Sequence, residues 1–390
     1  MLRASGKIRG VSSSNVSERA RQWAATMDGF SGDDRDITVA HRDSRALVFP
    51  LDNAHEQTRS REFREEFVNS HLAQGAARGT PAGHRSREEE PDQWRTCFER
   101  DRDRILHSSS FRRLAGKTQV FIFPDDHQRT RLTHALEVAQ VATSVARSVG
   151  LNVALTEAIA LGHDCGHGPG GHASEDALEP FVEGGFNHAV WGAEVALSNL
   201  NLCSETLDGI ANHSWSRPAP LTAEGEVVSW ADRIAYVCHD FEDALSAGIS
   251  SLSHLPKIVA DRCGVTRGQQ LGSFITAMIT TIHSSGVVGM DARHAEALSI
   301  FRSFNYESIY LRPESRDQAS SVIGMLRALV EFFAVNPQLI ADVAAEPTSD
   351  LDVLHSSVAY VAGMTDRFAC RSAVKHLDWP IDQLPRGIDR

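Results

Sequence analysis

Apolar residues recur at helical spacing through most of this chain, from Trp94 onward. They fall three or four positions apart, as on a helix with one buried face, and no run of them alternates as in a half-buried strand. The clearest stretch begins at Leu132 and ends at Gly150, a residue type that often terminates helices. Six further helices are predicted, over residues 155–163, 186–200, 227–245, 271–282, 294–301 and 319–333. The sequence therefore predicts an all-α fold.

The composition excludes several classes of protein. The 390 residues include 39 Lys+Arg and 51 Asp+Glu, a formal net charge of −12, which argues against indiscriminate binding of nucleic acid or anionic membranes. The six cysteines form no CxxC pair, so neither a zinc ribbon nor a dense disulfide framework fits. No apolar signal segment is visible at the N-terminus. We expect a reduced, cytoplasmic protein without a membrane partner.

The first 90 residues differ in composition from the rest of the chain. They mix Ser, Arg, Asp and Gly with few apolar residues, and the segment GAARGTPAGHRSREEEPD is typical of a loop or linker. The sequence thus predicts three parts. Residues 1–90 form a poorly ordered or accessory segment, residues 91–250 a core that carries the chemistry, and residues 251–390 a C-terminal helical part packed on that core.

Histidine is concentrated in one zone of the core. Of the 18 histidines, His163, His167, His172 and His188 fall within 26 residues, where even spreading would place about one. His163 and Asp164 end an apolar helix, immediately before the glycine-rich stretch CGHGPGG. Adjacent side chains of a helix point about 100° apart, so the two can reach one ion only where the helix ends.

Two more residues complete a set of metal-binding type. His134 and Asp232 both lie in helical, otherwise apolar surroundings, where an unpaired polar group is costly. With His163 and Asp164 they give a mixed nitrogen and oxygen set, which suits Mn²⁺, Fe²⁺ or Co²⁺ and accepts Mg²⁺ or Zn²⁺. Such a set leaves positions open for water and phosphate. The alternative is that these are helix-capping and core polar residues satisfied by the backbone.

The longer motifs around this dipeptide resemble one family. HDCGHGPGGHASEDAL, RDRDRILHSSSFRRLAGKTQVF, RTRLTHALEVAQVATSVARSVGL and ADRIAYVCHDFEDAL are similar to the HD-domain deoxynucleoside-triphosphate triphosphohydrolases, the dGTPase-like family. The resemblance resumes at NYESIYLRPE and YVAGMTDRFA, and covers roughly residues 94–370. It implies an all-α HD fold with additional helices, which cleaves a dNTP to deoxynucleoside and inorganic tripolyphosphate. It also implies a homo-oligomer and a divalent metal ion, Mg²⁺ or Mn²⁺ first, with iron, cobalt, nickel or zinc as alternatives.

The resemblance assigns roles to individual residues. The metal ligands that it implies are the four residues described above, His134, His163, Asp164 and Asp232. His172 matches the acid that protonates the departing 5′-oxygen, and Glu175 matches the residue that orients it. His167 and His188 match histidines that face the phosphates.

Four further residues match positions that bind substrate. Arg131 matches a phosphate-contacting arginine, and Arg233 is a weaker candidate for the same role. Tyr236 and Asp240 match residues that hold the deoxyribose and discriminate against a 2′-hydroxyl. The spacing agrees, because Asp232, Tyr236 and Asp240 lie four residues apart and so share one helix face.

Most of these residues also have a purely structural interpretation. His172 could be a surface loop histidine, His167 and His188 hydrogen-bonded structural histidines, and Tyr236 and Asp240 ordinary core and surface residues. Two more histidines of the same zone have no role suggested by their spacing and are predicted to be structural, His213 and His239.

The chain departs from the family pattern at two places. Between the two loop histidines the family commonly has two prolines, an aromatic residue and a glycine, whereas this chain has Gly168-Pro169-Gly170-Gly171. Glycine in place of a proline and a ring is expected to make the loop more flexible. Before YVAGMTDRFA the family usually has an aspartate, whereas this chain has Ala359. Neither change removes a metal ligand, so a metal site is expected. The two departures put the substrate preference in doubt.

One segment of the core is basic. Residues 94–131 hold nine basic and five acidic residues, a local charge of +4. Such a segment can contact a triphosphate or single-stranded nucleic acid, or it can be a solvated helix face with internal salt bridges.

The sequence leaves two alternatives to a dNTP triphosphohydrolase open. One is an HD phosphohydrolase of another nucleotide, and the other is a degenerate HD regulator that binds nucleotide or single-stranded DNA. An allosteric nucleotide is a further partner that the sequence leaves open.

Overall fold

The computed structural model describes residues 17–25, 29–31, 37–45, 47–49, 59–124, 127–340 and 350–386. Internal contacts divide the chain into two units, Met1–Thr58 and Arg59–Arg390. In the smaller unit the described residues form helix α1 (Glu18–Ala24) and two short antiparallel strands, β1 (Phe30–Ser31) and β2 (Thr38–Val39).

In the described residues of the larger unit, helices joined by loops make up almost all of the regular secondary structure. Its helices are α2 (Arg61–His71), α3 (Cys97–His107), α4 (Ser109–Arg113), α5 (Arg131–Val149), α6 (Val153–Gly162), α7 (Ala173–Leu178), α8 (His188–Trp191), α9 (Ser204–Ala211), α10 (Ala223–Ser246), α11 (Lys257–Cys263), α12 (Arg267–Ser285), α13 (Ala292–Asn305), α14 (Pro313–Val335), α15 (Asp350–Ala362) and α16 (Asp366–Leu377). The prediction of an all-α fold is confirmed.

Helices α5, α6 and α10 form the centre of the main apolar core. Helix α6, VALTEAIALG, has only one charged residue and packs against α3, α5, α9 and α10. Its sequence is apolar on every side because neighbouring helices surround it. Helix α5 ends at Val149, where Gly150 adopts the left-handed conformation (φ +75°) that closes many helices. These helices lie close to the bounds that their periodicity predicts.

The predicted helix over residues 186–200 is wrong as a single element. The structure has the short helix α8, a π-turn over Gly192–Ala196 and a 3₁₀ turn over Ser198–Leu200. The backbone of Gly166 packs against this segment so closely that a Cβ there would lie 1.9 Å from the carbonyl oxygen of His188. The irregular turn therefore accommodates a tertiary contact that apolar periodicity does not encode.

A second apolar cluster joins α14 to α7, α15 and α16. Met325, Leu326 and Leu329 of α14 are almost fully buried in it, and Ala359 of α15 packs against it. By length and composition alone, α14 is the one helix of the described residues that could cross a membrane, a test that core helices also pass. The cluster brings the C-terminal helices onto the loop that precedes α7.

The part of the chain before residue 91 is only partly described, since residues 1–16, 26–28, 32–36, 46 and 50–58 lie outside the described residues. Residues 59–90 belong to the larger unit, where Arg85 donates to the buried carboxylate of Asp101 (2.6 Å) and to the carbonyl oxygen of Cys97 (2.9 Å). The contact-based boundary thus falls at Thr58, earlier than the predicted one. The three-part division stays a prediction.

Candidate functional site

Four side chains of metal-binding type converge where α5, α6 and α10 meet. His134 lies in α5, His163 and Asp164 follow the last residue of α6, and Asp232 lies in α10. The Nε2 atom of His134 is 3.0 Å from Asp232 Oδ1 and 3.9 Å from Asp164 Oδ2. The Nε2 atom of His163 is 3.5 Å from Asp164 Oδ2 and 3.7 Å from Asp232 Oδ1. These separations suit four ligands around one centre.

The hydrogen bonding of His163 tests whether a cation fits among these four side chains. Its Nδ1 lies 2.7 Å from the carbonyl oxygen of Ala160, which can only accept, so Nδ1 carries the hydrogen and Nε2 carries a lone pair. That Nε2 is fully buried without a hydrogen-bond partner, a costly state for a polar atom. Burial opposes ionisation of Asp232, but a hydrogen bond from His134 and the nearby histidines hold the pKa of Asp232 below its ordinary range. The residues present therefore fit a divalent cation.

Arg131 connects this donor set to an adjoining cavity. Its Nη1 donates to Asp164 Oδ2 at 2.7 Å, and although burial raises the pKa of Asp164, the guanidinium and the neighbouring histidines hold it well below the ordinary value. The Nε and Nη2 atoms of Arg131 are buried and have no hydrogen-bond partner among the described residues. A buried guanidinium with unused donors is suited to bind an anion in the cavity.

A second group of side chains forms a hydrogen-bonded relay beside the donor set. His172 Nδ1 is 3.0 Å from Glu175 Oε2, and Glu175 Oε1 accepts from His188 Nδ1 (2.8 Å) and from the backbone N–H of His188 (3.1 Å). Burial opposes ionisation of Glu175, but the hydrogen bonds from His172 and His188 hold its pKa below the ordinary range. The ring of His167 stacks on that of His188 at 3.7 Å between centroids, and its Nε2 is 3.3 Å from Asp164 Oδ1.

The loop between His167 and His172 is held from the C-terminal part of the chain. Asp366, at the start of α16, accepts from the backbone N–H of Gly170 (2.8 Å) and from the hydroxyl of Thr118 (2.6 Å). The buried ammonium of Lys117 donates to the carbonyl oxygens of His167 and Ala362. These contacts oppose the flexibility expected from the loop glycines.

Gly170 also fits its surroundings sterically. It has φ +75°, and a Cβ on it would lie 2.6 Å from Cγ1 of Val322 in α14. An aromatic side chain at this position, as the family pattern has, would clash with α14 as it is packed here. The departure at Gly170 is thus matched by the packing of the second apolar cluster.

Asp366→Ala is expected to lower the free energy of unfolding by about 3 kcal/mol, because the Gly170 N–H and the Thr118 hydroxyl would both lose their buried acceptor. Asp366→Asn retains a side-chain oxygen and should lose about 1 kcal/mol. Urea unfolding of both variants, beside Asp382→Ala at an exposed carboxylate, measures the difference. Equal stability of Asp366→Ala and wild type would show that these hydrogen bonds do not hold the loop.

A cavity of about 820 Å³ adjoins both groups. Of the twelve residues predicted from the sequence, eleven line it and His163 does not. The lining residues are Arg131, His134, Asp164, His167, His172, Glu175, His188, Asp232, Arg233, Tyr236 and Asp240. The roles predicted for them stay predictions, but the fold brings them to one place.

The far side of the cavity carries the predicted sugar-binding residues. The hydroxyl of Tyr236 accepts from Arg302 Nε at 2.8 Å, and Asp240 accepts from the hydroxyl of Tyr310. The other oxygen of Asp240 is buried without a hydrogen-bond partner, and burial raises the pKa of Asp240 to about 8. The guanidinium of Arg233 lies over the ring of Trp215, 3.5 Å from its centroid.

Several lining residues were not predicted from the sequence. His213, predicted to be structural, lies in the cavity wall with its Nε2 3.3 Å from His188 Nε2, whereas His239 does not line the cavity. Arg302, Tyr310 and Arg312 reach the cavity from the C-terminal half. Tyr310 and Arg312 belong to the motif NYESIYLRPE, to which no role was attached, whereas Arg302 lies just before it.

The basic segment over residues 94–131 consists largely of internal ion pairs. Arginines of this segment pair with carboxylates of the chain at five positions, Arg95, Arg100, Arg102, Arg104 and Arg129. This favours the salt-bridged helix face over a nucleic-acid surface for these five. Arg131 differs, because among the described residues its only carboxylate partner belongs to the donor set, and its Nε and Nη2 are buried without a hydrogen-bond partner.

The fold and the donor set together define an HD-domain protein. A family model described as HD domain matches residues 131–237, and a second, described as phosphohydrolase-associated domain, matches residues 288–375. Relatives named deoxyguanosinetriphosphate triphosphohydrolase-like protein occur in Caldanaerobacter subterraneus (39% identical, covering 79% of this chain and 93% of the relative) and in Clostridium perfringens (39%, 79% and 94%). A third relative of the same name, from Caulobacter vibrioides, is 36% identical and covers 76% of this chain and 94% of the relative.

The chain belongs to the deoxyguanosinetriphosphate triphosphohydrolase-like family of HD-domain proteins, as its motifs indicated. A hypothetical protein from Aquifex aeolicus of known structure gives a TM-score of 0.45 at 19% identity, over 70% of this chain and 68% of that one. That likeness is too loose to add to the assignment.

Proposed function

We propose that this protein is a divalent-metal-dependent hydrolase that cleaves a deoxynucleoside triphosphate to deoxynucleoside and inorganic tripolyphosphate. The observation that carries the proposal is one cavity lined by three residues of the donor set, by an arginine with unused donors and by the His172–Glu175 pair. Hydrolysis at phosphorus needs neutralised charge, an activated water and a protonated leaving group. The first two are the chemistry that a divalent cation supplies when bound by His134, His163, Asp164 and Asp232.

The remaining tasks are binding of the phosphates and protonation of the leaving group, and each is assigned to particular side chains. Arg131 binds the phosphates through the nitrogens that Asp164 does not occupy, and His167 and His188, which also line the cavity, face the phosphates. His172 protonates the departing 5′-oxygen. Glu175 orients His172 through its Nδ1, which leaves Nε2 as the atom that exchanges the proton.

The deoxyribose is proposed to lie against Tyr236 and Asp240. Arg302 and Tyr310 fix these two groups through the hydrogen bonds at their oxygens. The ring of Tyr236 is proposed to pack against the 2′-carbon of the sugar and so to exclude a 2′-hydroxyl, because an unmatched buried polar group is strongly disfavoured. The names of the relatives make dGTP the first substrate to test.

The proposal also includes the wider expectations from the sequence. We expect a homo-oligomeric, cytoplasmic enzyme whose catalytic core lies in residues 91–250. An allosteric nucleotide and single-stranded nucleic acid are partners to be tested by adding each to the assay.

We expect dGTP or another dNTP, incubated with the protein and Mn²⁺, to give deoxynucleoside and tripolyphosphate, with ribonucleotides cleaved far more slowly. Chromatography that resolves the products of a nucleotide panel, repeated with each divalent metal, makes the measurement. Release of orthophosphate or pyrophosphate would contradict the proposal and favour another HD phosphohydrolase activity. Nucleotide binding without turnover at any metal would favour a regulatory HD protein.

A further inference from the structure

Two buried histidine rings face each other in the wall of the cavity. His188 Nε2 and His213 Nε2 lie 3.3 Å apart, and both side chains are more than nine-tenths buried. His213 follows α9 and His188 begins α8, so two separate elements bring these nitrogens together. The pair lies beside the donor set of the proposed metal centre, and His213 also groups with His163 and Asp232 of that set, their ligand atoms all within 4.8 Å of one another.

The other nitrogen of each ring is already used. His213 Nδ1 lies 2.8 Å from the carbonyl oxygen of Ile210, which can only accept, so this nitrogen carries a hydrogen. His188 Nδ1 lies 2.8 Å from the Glu175 carboxylate, to which it donates in the same way. With one hydrogen on each ring, at Nδ1, both Nε2 atoms carry lone pairs, and the two nitrogens are 3.3 Å apart.

Two buried lone pairs at this distance repel unless something positive lies near both. A single shared proton would suffice, and so would a cation. A carboxylate oxygen of Asp164 lies with both Nε2 atoms in a group whose ligand atoms are all within 4.8 Å of one another. A negative group beside two nitrogen lone pairs is a donor set for a divalent metal.

The separation of the two nitrogens agrees with this interpretation. Two histidine ligands at about 2.0–2.1 Å from one ion, with a bond angle between about 90° and 110°, lie about 2.8–3.4 Å apart. The observed 3.3 Å is within that range. The hydrogen bonds of Nδ1 to a carbonyl and a carboxylate are the outer partners that metal-binding histidines usually have.

We propose that Asp164, His188 and His213 hold a second divalent cation beside the one assigned to His134, His163, Asp164 and Asp232. Asp164 is common to both sets, so the two ions would share it as a bridging carboxylate. This inference rests on the proposed function, since the first ion is part of that proposal. Paired ions about 3.5–4 Å apart suit a substrate with several phosphate groups.

The test is the number of metal ions bound per chain. After equilibrium dialysis against Mn²⁺, elemental analysis of the wild-type chain should give two equivalents. His213→Ala and the milder His213→Gln should give one. The matched control His239→Ala, at a buried histidine that does not line the cavity, should keep two.

A second measurement on the wild-type chain does not depend on any variant. Two Mn²⁺ ions that share a carboxylate give an exchange-coupled electron paramagnetic resonance spectrum, which His213→Ala should convert to that of an isolated ion. One equivalent and an uncoupled spectrum in the wild type would overturn the inference in favour of a shared proton, and would leave the proposed function standing. No bound metal at all would overturn both.

Discussion

Asp164→Asn is expected to remove metal binding and to lower kcat/KM by roughly 10³-fold, because several kcal/mol of transition-state stabilisation depends on the bound ion. Asp164 Oδ2 lies 3.5 Å from His163 Nε2, and Oδ1 lies 3.3 Å from His167 Nε2. An amide keeps the size of the side chain but supplies no negative charge. The variant should therefore lose the bound ion and the activity together.

The measurement pairs metal analysis with the product-resolved assay on the same samples. Asp261→Asn is a matched control, since it makes the same chemical change in a surface ion pair with Lys257. Thermal unfolding of each variant separates loss of the site from loss of the fold. If Asp164→Asn kept its metal and turned over dGTP at the wild-type rate, the donor set would not be the catalytic centre.

Apolar periodicity and residue type predict much of this fold and site. In the central helices these signals come from residues that are close together in sequence. His134 and Asp232 could be singled out because each is polar in an apolar helix, and His163 with Asp164 because they follow a buried helix. Tyr236 and Asp240 share a face with Asp232 by simple spacing. The family resemblance then supplied roles that spacing alone does not.

The parts that were missed depend on contacts between distant segments. Asp366 meets Gly170 across 196 positions of sequence, and Tyr310 meets Asp240 across 70. Nothing in the spacing of either residue marks such a contact. His213 was predicted to be structural for the same reason, since its place in the cavity is set by the packing of α9 against α6, α8 and α10.

His172→Ala is expected to lower kcat for dGTP by about 10²–10⁴-fold and to leave metal content unchanged, because it removes a proton donor and no proposed ligand of the first ion. The side chain is 77% exposed and lines the cavity, where it bonds to Glu175 and makes an edge contact with the ring of His167. His84→Ala is the matched control, because His84 is also exposed and pairs with a glutamate, Glu205, outside the cavity lining.

The leaving group distinguishes proton donation from a general loss of order at the rim. A dGTP analogue with sulfur in place of the bridging 5′-oxygen releases a thiolate instead of an alkoxide. The pKa of a thiol is far below that of an alcohol, about 8.5 for a simple thiol such as cysteine. Cleavage of the analogue should need little protonation, so His172→Ala should lose no more than about tenfold on it while losing the full 10²–10⁴-fold on dGTP. Equal losses on the two substrates would mean that His172 positions the phosphates instead of protonating the leaving oxygen. The donor would then have to be sought among the other groups of the cavity wall, such as Tyr310, whose hydroxyl donates to Asp240 at the proposed sugar site.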